Sequence, residues 1–178
     1  VNQATHYLDG SQIYGSTMKR SAVLRSFEYG QLRMTEKFKK MYLPLSTHPT
    51  DDCQLTDDDT VCFISGDSRV NVVPQLTAIH TLWLREHNRI AKELSGLNPS
   101  WDDEILFQEA RRIVIAEIQH ITYDEWLPLI LGKKYFNKIQ KYSNYDENVN
   151  PSVSNGFATA SVRVFSTLID GNLRYHVF

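Results

Sequence analysis

The chain of 178 residues is long enough for one domain with a sizeable core, and its 42% apolar and 22% charged residues are typical of a globular protein. Its formal net charge of −2 argues against a nucleic-acid or membrane-surface partner. No apolar run in the sequence is long enough to span a bilayer.

The N-terminal segment THYLDGSQIYGS carries polar side chains at alternate positions. On an extended backbone, Thr5, Tyr7, Asp9 and Ser11 would lie on one side. Hydroxyls, a carboxylate and nearby carbonyls together suit calcium, which takes about six to eight oxygen ligands. A polar loop leading into a helix is the commoner explanation of such a cluster, so the residues alone leave both interpretations open.

The hydrophobic pattern predicts a mainly α-helical chain with little strand. The predicted elements are, in chain order, a short helix over 16–28 ended by Gly30, a loop or short hairpin over 31–40, an irregular stretch over 41–49, helices over 75–95 and 102–121, a helical turn over 123–131 interrupted by Pro128, a partly helical stretch over 133–141, an exposed loop over 143–155 and a last helix over 157–169.

The stretch SGDSRVNVVPQLTAIHTLWLREHNRIAKEL places Arg69 on a loop just before a long helix, with Pro74 in the first turn. Such a loop could aim a permanent cation into a pocket, although a surface arginine before an ordinary core helix is more common. His80 and His87 share the apolar side of this helix and are expected to be core or boundary residues. The apolar positions of that side are Leu76, Ile79, Trp83, Ile90 and Leu94.

The second long helix offers Asp102 among its capping residues and ends near His120, where a partial positive charge is favoured. Its predicted stripe comprises Ile105, Leu106, Ala110, Ile113, Val114, Glu117 and Ile121.

Cys53 and Cys62 are the two cysteines, and they bracket the acidic loop DDCQLTDDDTVC. They could form a local disulfide or remain two free thiols. A zinc site is not expected, since no further cysteine or histidine lies at ligand spacing. The acidic run 57–59 is interpreted as a solvated loop.

The phrases GDSRVN, LTAIHTLWLREHNRIAKEL and ITYDEWLPLILG resemble the animal haem peroxidases, nearest to the peroxinectin and chorion-peroxidase type, from Thr5 to Ile169. This resemblance implies a helical haem-peroxidase-like fold in which 1–178 is part of one domain. It also implies a haem cofactor, oxidation of small-molecule donors by hydrogen peroxide, a disulfide between Cys53 and Cys62, and a secreted, extracellular protein. Family members are several times longer, so we expect other segments or chains of the same processed protein to complete the domain.

The resemblance also assigns the polar N-terminal loop. The family uses a T-x-[F/Y]-x-D-x-S loop for a structural calcium, and Thr5, Tyr7, Asp9 and Ser11 match it. Side-chain oxygens would come from Thr5, Asp9 and Ser11, and carbonyls from Thr5 and Tyr7. The family's distal histidine and a further calcium-binding carboxylate lie upstream of this loop.

Arg69 matches the family's distal arginine, whose implied role is to polarise peroxide and stabilise charge as its O–O bond breaks. Val72 stands where some members carry a glutamate that forms an ester with haem, which excludes that linkage.

The family's proximal pattern F-x-x-A-x-x-R-x-G-H-[T/S]-L-I reads FATASVRVFSTLI in this chain. Arg163 matches an arginine close to the haem, whereas the glycine is Phe165 and the iron-binding histidine is Ser166. Because a serine hydroxyl is a poor iron ligand, the sequence favours a non-catalytic pseudo-peroxidase. The alternative is an active secreted peroxidase with an atypical ligand, for which His176 is the first candidate.

Overall fold

The computed structural model describes residues 4–37, 39–48, 53, 61–139 and 144–169. The chain divides into two compact units, one formed by Leu8–Ile139 and the other by Val1–Tyr7 with Gln140–Phe178. The hydrophobic core described here belongs to the larger unit.

Helices dominate the described residues, which confirms the prediction of a mainly α-helical fold. The larger unit contains, in chain order, α1 (Ser11–Tyr14), α2 (Met18–Leu24), β1 (Thr35–Lys37), β2 (Lys40–Tyr42), a 3₁₀-helix (Ser68–Asn71), α3 (Pro74–Leu97), α4 (Asp103–His120), a π-helix (Ile121–Trp126) and α5 (Leu127–Phe136). The smaller unit contains α6 (Asn155–Thr159) and a second 3₁₀-helix (Ser161–Leu168).

The helices α3 and α4 pack together and begin as predicted. Pro74 occupies the first turn of α3, where its missing N–H is not needed. The Asp102 carboxylate caps α4 by accepting a 2.8 Å hydrogen bond from the Ile105 amide. Both predicted histidines of α3, His80 and His87, are buried, which confirms their assignment to the core.

The buried faces of α3 and α4 are rotated relative to the predicted stripes. Ile79 and Ile105 are both 45% exposed, although each was predicted to face the core. The buried positions of α3 are His80, Thr81, Leu84, His87, Asn88, Ile90 and Ala91, and those of α4 are Leu106, Phe107, Ala110, Val114 and Ile118. The buried face of α3 includes several polar residues, so a prediction based on the spacing of apolar residues did not identify it.

The prediction of a helix over 16–28 that is ended by Gly30 is wrong. Helix α2 ends at Leu24, and Arg25 is extended at φ −84° and ψ 144°. A tight turn follows, with positive φ at Phe27 (61°), Tyr29 (53°) and Gly30 (69°).

Two further helix predictions need correction. Pro128 does not interrupt a helix, because it lies in the first turn of α5 after the π-helix, and the chain kinks at Gly132 (φ 71°) instead. The last helix, predicted over 157–169, is divided near Ala160 into α6 and the second 3₁₀-helix.

Strands β1 and β2 form a two-stranded antiparallel hairpin, as the sequence allowed for 31–40. A disulfide joins Cys53 to Cys62, whose Cα atoms are 6.1 Å apart, so the bridged alternative is confirmed. The predicted acidic loop 57–59 lies outside the described residues. Within the described part of the chain, no helix is both long and apolar enough to cross a membrane.

Candidate functional site

Arg69 lies in the 3₁₀-helix Ser68–Asn71, which Asp67 caps. One Asp67 oxygen accepts hydrogen bonds from the Arg69 amide (2.8 Å) and from its Nε (2.9 Å), and the other accepts from Nη2 (2.7 Å). Hydrogen bonding from Arg69 lowers the pKa of the Asp67 carboxyl to about 2. The Arg69 side chain is 70% exposed, so Asp67 fixes the orientation of a cation that remains open to solvent.

The backbone of this arginine loop is fixed to α1. The Gln12 carbonyl accepts hydrogen bonds from the Ser65 hydroxyl (3.0 Å) and the Asp67 amide (3.1 Å), and Arg20 Nε donates to the Ser65 carbonyl (2.7 Å). A Cβ on Gly66 would overlap backbone atoms of α1 and the residue after it, so this close approach requires glycine. The arginine loop is therefore positioned by the segment that follows the predicted calcium loop.

The predicted calcium loop crosses from one unit to the other after Tyr7. In the smaller unit, the Thr5 hydroxyl accepts a 3.2 Å hydrogen bond from the Tyr7 amide. In the larger unit, Asp9 Oδ1 accepts a 2.9 Å hydrogen bond from the Ser11 amide. No group of three or more histidine, cysteine, aspartate or glutamate side chains among the described residues could hold a metal. The calcium site therefore stays a prediction, in which Asp9 supplies the one carboxylate of this loop and hydroxyl and carbonyl oxygens supply the other ligands.

His87 joins three elements of the core rather than lining a site. It is 0% exposed, and its Nε2 donates to the Gly30 carbonyl (2.9 Å). Since a carbonyl can only accept, the proton lies on Nε2, and Nδ1 accepts from the Tyr14 hydroxyl (2.9 Å). Burial lowers the pKa of His87 to about 4 and raises that of Tyr14 above its ordinary range. The ring of Phe107 packs against both side chains.

The side-chain amide of Asn88, next to His87, pairs with the backbone of Leu32 as a neighbouring strand would. Its Oδ1 accepts from the Leu32 amide (2.8 Å) and its Nδ2 donates to the Leu32 carbonyl (2.9 Å). A single side-chain amide thus satisfies both backbone groups of a buried residue. This role of Asn88 was not predicted from the sequence, although the polar pair at 87–88 within a predicted core helix was the available signal.

Arg25 holds the turn after α2 against the start of α4. Its guanidinium donates to Asp103 (2.6 Å) and to Glu104, and it lies 4.1 Å from the ring centre of Phe107. Asp103 also accepts a 2.6 Å hydrogen bond from the Gly30 amide. Sequence reasoning missed this cluster, because its members lie far apart in the chain.

In the smaller unit, the second 3₁₀-helix carries the predicted haem-binding residues. A 3₁₀-helix has about three residues per turn, so Arg163 and Ser166 share one edge. Both are exposed, whereas Phe165 is half-buried. The structure therefore brings these two predicted residues onto one side of the same helix, and that side presents a guanidinium and a hydroxyl.

Comparison with known proteins decides the family, because the model of the animal haem peroxidase family matches residues 1–177. The chain belongs to the animal haem peroxidase family. It is 46% identical to a human protein named probable oxidoreductase PXDNL over 96% of this chain, and 44% identical to a mouse peroxidasin homolog over 96%. The chain spans 12% of the length of each of these two relatives.

A solved structure supports the same assignment. Peroxidase A from Dictyostelium discoideum matches with a TM-score of 0.75 and 37% sequence identity. The match covers 88% of this chain and 30% of that chain. The predictions of an animal haem peroxidase and of its helical fold are therefore confirmed.

Membership of the animal haem peroxidase family implies a haem cofactor. A histidine-ligated iron needs an imidazole nitrogen on the proximal helix. The position that the resemblance assigns to this ligand carries the weakly basic hydroxyl of Ser166, beside the half-buried ring of Phe165. The residues of this helix do not fit a histidine-ligated haem.

Proposed function

We propose that this chain is part of a haem-peroxidase domain that has weak or no peroxide chemistry and serves a non-catalytic role in adhesion, matrix or assembly. The proposal is supported by Ser166, which stands at the position that the resemblance assigns to the iron-binding histidine, in a family member whose core is otherwise well formed. A proximal imidazole both anchors haem and supplies electron density to the iron, and a serine hydroxyl does neither well.

Arg69 supports the alternative of an active secreted peroxidase with another iron ligand. The backbone of its loop is fixed to α1 and its guanidinium is oriented by Asp67, an arrangement that supports a role in stabilising negative charge. This alternative requires a replacement ligand such as His176, which lies outside the described residues. We favour the non-catalytic role because charge stabilisation by Arg69 cannot replace an anchor for the cofactor.

The setting of this function is proposed to be extracellular. A disulfide between Cys53 and Cys62 is typical of oxidising compartments. We propose that other segments or chains of the same processed protein complete the domain and supply the upstream carboxylate of the calcium loop. Asp9 would contribute one carboxylate oxygen to calcium while its Oδ1 accepts the hydrogen bond from the Ser11 amide.

The proposed function is tested by haem spectra and donor oxidation measured on the intact protein. We expect the wild type to show a weak Soret band and negligible turnover with hydrogen peroxide. The double variant Phe165→Gly/Ser166→His should gain a histidine-type Soret band, because it restores both the ligand and the space beside it. Phe165→Gly alone is the matched control, since it removes the bulk without adding a ligand.

Two outcomes would overturn the proposal. A strong histidine-type Soret band with rapid turnover in the wild type would show that another residue binds the iron. A Soret band of equal strength in Phe165→Gly and the double variant would show that position 166 is not the ligand position.

A further inference from the structure

The hairpin formed by β1 and β2 carries three exposed lysines at its tip. Lys37 and Lys40 are direct cross-strand partners, and Lys39 lies between them in the turn. The chain has a net charge of −2, so this concentration of positive charge is local and is not a property of the whole surface.

Two features of this tip are unfavourable for the fold itself. Like charges placed directly opposite each other on neighbouring strands repel and weaken the hairpin. Lys39 has a φ of 59°, a left-handed conformation that glycine or asparagine adopts more easily. Unfavourable features of this kind concentrate at functional sites. The repulsion between the paired lysines and the left-handed backbone of Lys39 therefore suggest a binding role for this tip.

Two of the positive charges, Lys37 and Lys40, share one face of the hairpin. Cross-strand partners lie on the same side, and sides alternate along a strand, so the Lys37–Lys40 pair faces the same way as Tyr42. Glu36 lies on the opposite side and does not interrupt this surface. Arg85 of α3 adds a fourth cation, because its guanidinium lies 5.6 Å from the ring centre of Tyr42 and its Nε donates to a β2 carbonyl (2.8 Å).

We propose that this lysine face, formed by Lys37, Lys39, Lys40 and Arg85, binds a sulfated polysaccharide. Lysine ammonium groups are strongly hydrated point charges that pair with sulfates without demanding one geometry, which suits a flexible polymer. The disulfide indicates an oxidising compartment, where extended polyanions are polysaccharides rather than nucleic acids.

An anionic membrane fits this surface less well. Membrane surface binding combines positive charge with exposed apolar side chains that enter the headgroup region. Among the described residues of the two strands, the lysine face offers the half-buried Thr35 and Tyr42, and the exposed Met41 lies on the opposite side. Within the described residues, this surface is therefore cationic and polar, as a polysaccharide site requires.

This inference goes beyond the proposed function and does not depend on haem. Its only shared premise is the extracellular setting. Substitutions in the hairpin should leave the haem spectrum unchanged, and the proximal double variant should leave polysaccharide binding unchanged, so failure of one proposal is distinguishable from failure of the other.

The test measures binding of the full chain to immobilised heparin and chondroitin sulfate over a range of salt concentrations. Lys37→Thr/Lys40→Thr should weaken binding at least about tenfold and reduce the salt dependence, because fewer counterions are released. Lys133→Gln/Lys134→Gln on α5 removes the same charge from two exposed lysines elsewhere and should change binding by less than about twofold.

Thermal unfolding separates a binding role from a structural one. Lys39→Asn should weaken binding severalfold and raise the melting temperature, because asparagine adopts the left-handed conformation more easily. A fall in melting temperature would instead show that Lys39 stabilises the hairpin, which would overturn the argument from strain.

Three binding outcomes would also overturn the proposal. These are no retention of the wild type on either polysaccharide at physiological salt, an equal loss of binding in the α5 control, and tighter binding to phosphatidylserine vesicles than to heparin.

Discussion

Acidification should destabilise this protein through His87. The imidazole is 0% exposed and is held neutral, since its Nε2 donates to Gly30 and its Nδ1 accepts from Tyr14. Burial is the main reason that its pKa falls from the ordinary 6.5 to about 4. Folding therefore requires a neutral ring in a pH range where the unfolded chain binds a proton.

The direction and size of the effect follow from this difference. Above pH 6.5 the ring is neutral in both states and costs nothing, whereas below 6.5 the unfolded state binds more protons. The free energy of unfolding should therefore fall as the pH drops from 6.5 towards 4. At about 1.4 kcal/mol for each pH unit between the two pKa values, the loss attributable to His87 approaches about 3 kcal/mol.

Urea denaturation at a series of pH values measures this loss. His87→Gln removes the titration, so the difference in unfolding free energy between wild type and variant should shrink steadily between pH 7 and pH 4.5. His48→Gln, the same substitution at an exposed position, is the matched control for the effect of replacing a histidine with glutamine.

A constant difference between wild type and His87→Gln over this pH range would refute the reasoning. If His87→Gln does not fold, a nuclear magnetic resonance titration of the wild-type imidazole decides the question. A ring that becomes protonated near pH 6.5 in the folded state would contradict the argument equally well.

Three further predictions concern the loops. Mass spectrometry without reductant should show the linked Cys53–Cys62 peptide, and reduction should lower stability by on the order of 2–3 kcal/mol; two alkylatable thiols would contradict the bridge. Gly66→Ala should lower the free energy of unfolding by about 2 kcal/mol in thermal denaturation, because its Cβ would overlap the backbone of α1. Gly96→Ala, where the added Cβ meets open space, should instead be neutral or stabilising, and equal losses at both positions would disprove the packing argument. Asp9→Ala should abolish any rise in melting temperature caused by calcium. Asp9→Asn retains an oxygen that can accept from the Ser11 amide, and it should do the same if the carboxylate binds the ion. An unchanged calcium response in both variants would contradict the calcium site.

The long helices could be predicted because their signals are local. Pro74 and Asp102 mark helix starts through chemistry that involves only their own first turns. The early end of α2 could not be predicted in the same way, since Arg25 leaves the helix to reach Asp103 and Glu104, which lie 78 and 79 positions further along the chain. A pattern read over a window of one helix contains no information about such partners.

The candidate site shows the same limit. Arg69 was predicted from the sequence motif of its loop. Its orientation depends on Asp67, and its position depends on the contact of Gly66 with α1. His87 was predicted to be a core residue from its place on the helix. Its partner Tyr14 lies 73 positions away, and nothing in the local sequence identifies it.

The buried pair His87 and Asn88 has a consequence for how such chains are recognised. Both residues belong to the phrase REHNRIA, one of the phrases that identify this family, and both serve the scaffold by holding Gly30 and Leu32. Ser166 stands on an exposed helix where a substitution disturbs little packing. The phrase REHNRIA therefore reports the folded scaffold, whereas the proposed loss of the iron ligand concerns Ser166 on a separate helix that the phrase does not include.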